Sequence, residues 1–229
     1  MAMHAFVLVL ALCDPGEALL NATLWVQTSA EYRASALQSY AIARQTLDDA
    51  LSARSTRPAA IILDLDETAL DNSRFAARQL KKGQTFTFGD EWTSWVNETA
   101  SSAVPGAVEL VQYAQSRGVT PFYITNRKTM HEAATRAMLE KLGFALRPDT
   151  LLVRRDNETS DKSARRASVA ARYRVLLYLG DAMSDFPSND DGVPRIIVPN
   201  PMYGSWESAP LKPGATPPLP SRSPCGGSR

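Results

Sequence analysis

At 229 residues, 44% apolar and 21% charged, with a formal net charge of +1, the chain has the ordinary balance of a globular protein. It is long enough for one large domain or a core with a smaller cap. Lys and Arg form no long block, which argues against a nucleic-acid polymer as partner. The two cysteines, Cys13 and Cys225, lie near the ends and make neither a metal-binding spacing nor a disulfide framework.

Residues 1–16 read as a truncated or atypical export leader: Ala5 to Leu12 is an apolar run ending at Cys13, too short to span a bilayer. From Glu17 to Ala53 the pattern is helical, with Leu37, Tyr40, Ala41, Leu47, Ala50 and Leu51 close to one face. This N-terminal helical segment, residues 17–57, is expected to contribute to a cap. Ile61-Ile62-Leu63 then reads as a buried parallel strand. Residues 74–102, with Phe75, Phe86, Phe88, Trp92 and Trp95 among polar residues, read as a cap insertion of short helices.

From Val104 the rhythm is regular. Pro105-Gly106 opens a helix through Arg117, and Val119 to Ile124 is a strand. Lys128 to Leu142 is a helix closed by Gly143, followed by a short strand from Thr150 to Val153. Asp161 to Arg172 is a helix, and Val175–Leu179 and Arg195–Val198 are strands. Residues 58–73 and 103–208 therefore predict an α/β core, a doubly wound, mostly parallel sheet with helices on both faces. Residues 209–229 are rich in Pro, Gly and Ser and too poor in large apolar groups to offset their ordering entropy, so disorder is expected there.

Four polar clusters follow four predicted strands: Asp64, Asp66 and Thr68; Thr125-Asn126-Arg127; Asp161-Lys162-Ser163; and Gly180-Asp181 through Asp185. In a parallel sheet all four strand ends face one way, and sites lie at those ends. Carboxylates at the end of a buried strand are costly unless paired, hydrogen-bonded or on a metal. The inventory suits phosphoryl transfer: carboxylates for Mg²⁺, a carboxylate nucleophile, and a hydroxyl and an ammonium for phosphate oxygens. Taken singly, each group also fits a plainer role: Asp64 and Asp66 in a turn, Thr125 bonded to nearby backbone, Lys162 on a solvated helix. Arg127 reads as structural or rim-facing. His131 and His4 read as exposed and outside the chemistry.

In order, Asp64-x-Asp66-x-Thr68, Thr125, Lys162 and Gly180-Asp181-x-x-x-Asp185 resemble the motifs of the haloacid dehalogenase-like superfamily. The chain is most similar to its class C acid phosphatases, the bacterial lipoprotein e(P4) and 5′-nucleotidase family. That resemblance also rests on the helical segment from Leu20 to Tyr32, Leu70-Asp71-Asn72, Ala103 to Ala107, Asp161-Lys162-Ser163, and Pro199 to Glu207. It covers roughly residues 20–208.

The resemblance implies a Mg²⁺-dependent acid phosphatase. In it Asp64 would be the nucleophile, and Asp66 the general acid and then base, giving its backbone carbonyl to the metal. Asp64 and Asp181 would supply metal carboxylates. Asp185 would hold a metal-bound water or orient Lys162. Thr125, Asn126 and Lys162 would bind the substrate's phosphate end. The substrates it implies are small phosphorylated metabolites such as nucleoside monophosphates, their base stacked between Tyr203 and a cap aromatic, Trp92 or Trp95; these aromatics fit core packing as well. It further implies export to the periplasm or outer membrane, a lipid anchor at Cys13, and a homodimer. The alternatives are a phosphomutase of the same superfamily and a non-catalytic surface protein that binds nucleotides.

Overall fold

The computed structural model describes residues 16–204. The leader with Cys13, the Ser205-Trp206-Glu207 end of the last motif, and the tail of residues 209–229 lie outside the described residues. Among the described residues no helix is long and apolar enough to cross a membrane.

The core is a five-stranded parallel sheet. Its strands are β1 (Ala59–Leu63), β4 (Thr120–Lys128), β5 (Leu151–Arg154), β6 (Arg174–Gly180) and β7 (Arg195–Ile197), in spatial order β5-β4-β1-β6-β7. Strand β1 is central, with Leu63 opposite Tyr123 of β4 on one side and Leu179 of β6 on the other. Its apolar run is uniform because both faces are covered. Ile61 and Leu63 pack into one layer with Leu110 and Val111 of helix α5 (Ala107–Ser116) and Leu47 of helix α2 (Ala30–Leu51); Ala60 and Ile62 face Val169 of helix α7 (Ser163–Arg172) on the other. The chain builds outward from β1 through β4 to β5, then crosses to β6 and β7. The strand order therefore reverses at β1, where an α/β sheet opens a crevice at its carboxyl ends.

The N-terminal helical pattern is two helices. Helix α1 (Gly16–Thr28) stops at Ser29, whose hydroxyl accepts from Tyr32 N at 2.8 Å and caps α2. The buried stripe of α2 is Tyr32, Ala36, Tyr40, Ala43 and Leu47; Leu37 and Ala41, expected on that face, are exposed. From Ala36 to Leu47 this stripe packs on α5 and the sheet, whereas α1 and Tyr32 pack on the insertion beside Ala76. Gly106 is fixed by this packing. Its φ is +93°, and a Cβ there would lie 2.9 Å from Tyr40 Cβ.

The insertion leaves and re-enters the core through a small antiparallel pair, β2 (Leu70–Asp71) and β3 (Ser102–Ala103). Between them lie α3 (Ser73–Lys81) and α4 (Asp90–Asn97). They are held by an aromatic cluster in which Phe75 meets Phe86 at 5.1 Å and Trp92 at 5.2 Å, edge to face. One further difference matters for the site. Strand β4 runs on to Lys128, so Thr125, Asn126 and Arg127 lie on extended chain and not in a loop after it. A 3₁₀ turn (Thr129–His131) then leads into α6 (Glu132–Leu142).

Candidate active site

Two strand ends deliver the acidic groups. Asp64 follows β1, and its backbone N–H still bonds Leu179 O at 3.0 Å, so the sheet fixes its position. Asp181 and Asp185 follow β6. Asp64, Asp181 and Asp185 each bring a carboxylate oxygen to a common point, all within 4.8 Å of one another. Lys162, immediately before α7, sends its ammonium into this group. It donates to Asp64 and, at 2.6 Å, to Asp185. All three side chains are buried.

Each acid is oriented by a further contact. Asp181 accepts from Thr68 Oγ1 at 3.0 Å and from Asn200 Nδ2 at 2.8 Å. The second oxygen of Asp185 accepts from Ala182 N at 3.0 Å. Gly180 is required by the same geometry, because a Cβ there would fall 2.4 Å from Asp185 Cβ.

Asp66 points elsewhere. Arg127 donates to its carboxylate through Nε at 3.1 Å and Nη2 at 2.7 Å, and Asn72 Nδ2 adds a bond at 2.9 Å. Arg127 is only 2% exposed; its remaining nitrogen bonds Thr135, and its guanidinium lies 5.3 Å from the Trp92 ring centre. Beside this pair, Glu67 is buried with φ +59°, and accepts from Asn72 N at 3.0 Å and from the Tyr203 hydroxyl. The loop after β1 and Tyr203 are thereby tied together.

The electrostatics follow from burial. Burial pushes the Asp64 carboxyl well above its usual range, opposed by Lys162 and assisted by Asp185, Asp181 and Asp66. Asp181 is pushed up to about 6, first by burial and then by Asp185. Burial pulls the Lys162 ammonium down, but the carboxylates of Asp64 and Asp185 outweigh it and leave the net shift upward. The cluster thus holds more carboxylate than its ammonium neutralises. A convergent, all-oxygen, anionic donor set fits a hard divalent cation. The Asp66 carboxylate is not part of this group; it accepts from Arg127 and Asn72.

These groups floor a cavity of about 530 Å³ between core and insertion. Asp64, Asp66, Asn126, Lys162, Asp181, Asp185, Trp92 and Tyr203 all line it. Thr125 does not: it is fully buried, and its hydroxyl accepts from Arg127 N at 3.1 Å. Asn126 Oδ1 is held by Arg165 at 2.9 Å. Of the two tryptophans, Trp95 turns away to donate to Asn72 Oδ1 at 3.0 Å. Trp92 reaches the cavity but is 4% exposed. Phe88, 59% exposed and lying 5.5 Å from Tyr203, offers more open ring.

Four further residues shape the site. Arg127 grips Asp66, Asn200 and Glu67 orient other parts of the site, and His131 lines the cavity. His131 was expected to be exposed; it is 4% exposed, because the 3₁₀ turn carries it under α4, where its Nε2 meets Thr93 Oγ1 at 3.1 Å. The signal for Arg127 was present: residues two apart on a strand share a face, so Arg127 follows Thr125 inward.

Fold and site together define a phosphoryl-transfer centre of the haloacid dehalogenase type, and comparison with known proteins agrees. The family model described as HAD superfamily, subfamily IIIB (acid phosphatase), matches residues 15–206. The structure of the class C acid phosphatase from Bacillus anthracis is 34% identical with a TM-score of 0.78, covering 85% of this chain and 89% of that one. A second structure of that phosphatase, with tungstate bound, matches equally. Acid phosphatase 1 of Solanum lycopersicum is 29% identical over 147 residues, 62% of this chain and 57% of the tomato protein, so the match spans under two thirds of that relative. The chain belongs to the subfamily IIIB acid phosphatases of the HAD superfamily.

Proposed function

We propose that the chain is a Mg²⁺-dependent phosphomonoesterase that acts through a phospho-aspartate on Asp64, with nucleoside monophosphates among its substrates. The observation that carries this reading is the meeting of Asp64, Lys162, Asp181 and Asp185 on one cavity floor, with Asp66 held on the adjoining wall. That the related Bacillus anthracis enzyme binds tungstate, a tetrahedral oxyanion of phosphate's shape, supports an oxyanion on this floor.

In the first step an Asp64 carboxylate oxygen attacks phosphorus. The ester P–O bond breaks as the new P–O bond forms, and Asp66 gives its proton to the departing alkoxide. In the second step water attacks phosphorus and passes a proton to Asp66. The bond to Asp64 breaks, and phosphate leaves with Asp64 restored. Lys162 balances charge on the phosphate oxygens, a preorganised cation at the position where negative charge gathers. Mg²⁺ would be held by Asp64, Asp181 and Asp185, supplying charge neutralisation for the approach of one anion to another.

The exposed ring of Phe88 and the half-buried Tyr203 on the cavity wall support a planar leaving group, because stacking accepts any base. Export with a lipid on Cys13 belongs to the same proposal and rests on the apolar run from Ala5 to Leu12. Radiolabelled palmitate should enter the wild type in a bacterial host and not Cys13→Ser; equal labelling of both rejects it.

A screen of nucleoside monophosphates, sugar phosphates and p-nitrophenyl phosphate, with Mg²⁺ and with EDTA, tests the reaction. Phosphate release that is lost with EDTA and restored by Mg²⁺ is expected, with nucleotides among the better substrates. No release from any ester defeats the reading.

A further inference from the structure

Two cations on the cavity wall have no role in the chemistry described above. Lys128 and Arg154 sit opposite each other in the β4–β5 register, the last matched pair before the strands part. Both line the catalytic cavity. Like charges on paired strand positions repel, and proteins usually relieve such a pair with a nearby carboxylate. Among the described residues neither side chain makes an ion pair or a hydrogen bond to another protein group. By contrast, Lys162, Arg127 and Arg165, deeper in the same region, are all engaged. Asp90 lines the opposite, insertion side of the cavity and pairs with neither. Next to Lys128, the cavity-lining His131 keeps a buried Nδ1 that also lacks a protein partner.

The position of the pair sets its distance from the chemistry. Leu63 is opposite Tyr123, so Ile124 is level with Asp64, and Lys128 lies four residues further along β4. That is roughly 13 Å of extended chain. Since both long side chains line the cavity that Asp64 floors, the gap a ligand must bridge is shorter.

We propose that Lys128 and Arg154 form a second anion subsite in the catalytic cavity, and that the preferred substrates are phosphomonoesters whose leaving group carries another phosphate. The inference rests on the phosphatase reading and narrows its substrate class. A guanidinium fork beside an ammonium suits a dianionic phosphate, the fork giving two parallel donors and the ammonium a point charge. A nucleoside bisphosphate satisfies the whole cavity. One phosphate meets Asp64 and Lys162, the base meets the aromatic wall, and the other phosphate relieves the repulsion between Lys128 and Arg154. No new bond is made at the second subsite; it adds binding and orientation only.

The test compares adenosine 3′,5′-bisphosphate with adenosine 5′-monophosphate at fixed Mg²⁺, in the wild type and in the Lys128→Gln/Arg154→Gln variant. The wild type should favour the bisphosphate about five- to tenfold in kcat/KM through a lower KM, and the preference should shrink as salt rises. The variant should lose that preference and keep the monophosphate within twofold. Its melting temperature without ligand should equal or exceed that of the wild type, since a repulsion has been removed, and this guards against misfolding as the cause. Equal kcat/KM for the two nucleotides in the wild type, or an equal loss on both in a folded variant, overturns the second subsite. Absence of turnover on every ester, p-nitrophenyl phosphate included, is a different failure and sinks the phosphatase reading itself.

Discussion

Arg127 donates to both carboxylate oxygens of Asp66, 61 residues away in the chain, from a side chain that is almost wholly buried. The pair joins the loop after β1 to the end of β4. The nearby Trp92 ring and Thr135 hydroxyl fix the guanidinium from two further directions. Asp66 is thus positioned by core and insertion together.

This relationship predicts unequal effects for two substitutions. Arg127→Lys keeps the charge but loses the fork; kcat on p-nitrophenyl phosphate should fall about tenfold while KM moves less than threefold. Arg127→Ala leaves Asp66 without its partner and opens a hole under Trp92, and should cost about 3–5 kcal/mol in urea unfolding. A fully active Arg127→Ala protein of wild-type stability would remove Arg127 from the account.

Gly180 offers a sharper steric test. A single methyl at this position would have to displace Asp185, whose Cβ would be 2.4 Å and whose Oδ2 would be 2.6 Å away. Asp185 holds Lys162, so the displacement reaches the ammonium at the centre of the acidic cluster. Gly180→Ala should lower kcat/KM on the order of a hundredfold, the cost typical of a catalytic group misplaced by about 1 Å. Circular dichroism should still report a folded chain. Unchanged kinetics would show that Asp185 can move without consequence.

Much of this was legible in the chain, for a physical reason. A buried parallel strand must be apolar, so the abrupt polar groups at its end stand out, and Asp64 and Asp181 are legible on that ground alone. Tertiary packing decided what stayed hidden. On α2, Tyr40 and Leu47 are buried as expected, but packing against α5 and the sheet buries Ala36 and Ala43 beside them and leaves Leu37 and Ala41 exposed. The grip of Arg127 depended on β4 continuing past Ile124, and a strand end is the least certain boundary in a sequence. Phe88 and Trp92 are both aromatics of the insertion, and only the fold determines which one keeps an open face.

Metal and proton should compete for the acidic cluster. Asp181 has the ordinary aspartate value of 3.8 in the unfolded chain and is pushed up to about 6 in the folded protein by burial and by Asp185. Between those values the folded state binds more protons, so its contribution to stability falls as pH rises through that window. Burial shifts Asp64 in the same direction. Mg²⁺ bound there would remove this penalty, and acidification would weaken its hold. Thermal melts with EDTA and with Mg²⁺ should therefore show a larger metal-induced rise in Tm, by a few degrees, at pH 7 than at pH 5. An equal rise at both values, or none, would separate the carboxylates from metal binding.

The most direct measurement is turnover of p-nitrophenyl phosphate by Asp64→Asn beside the wild type, in saturating Mg²⁺, with both proteins shown to be folded. An amide at this position cannot accept the phosphoryl group as a carboxylate does, so kcat should fall on the order of a thousandfold or more. Turnover within tenfold of the wild type would contradict the assignment of Asp64 as nucleophile and the account built on it.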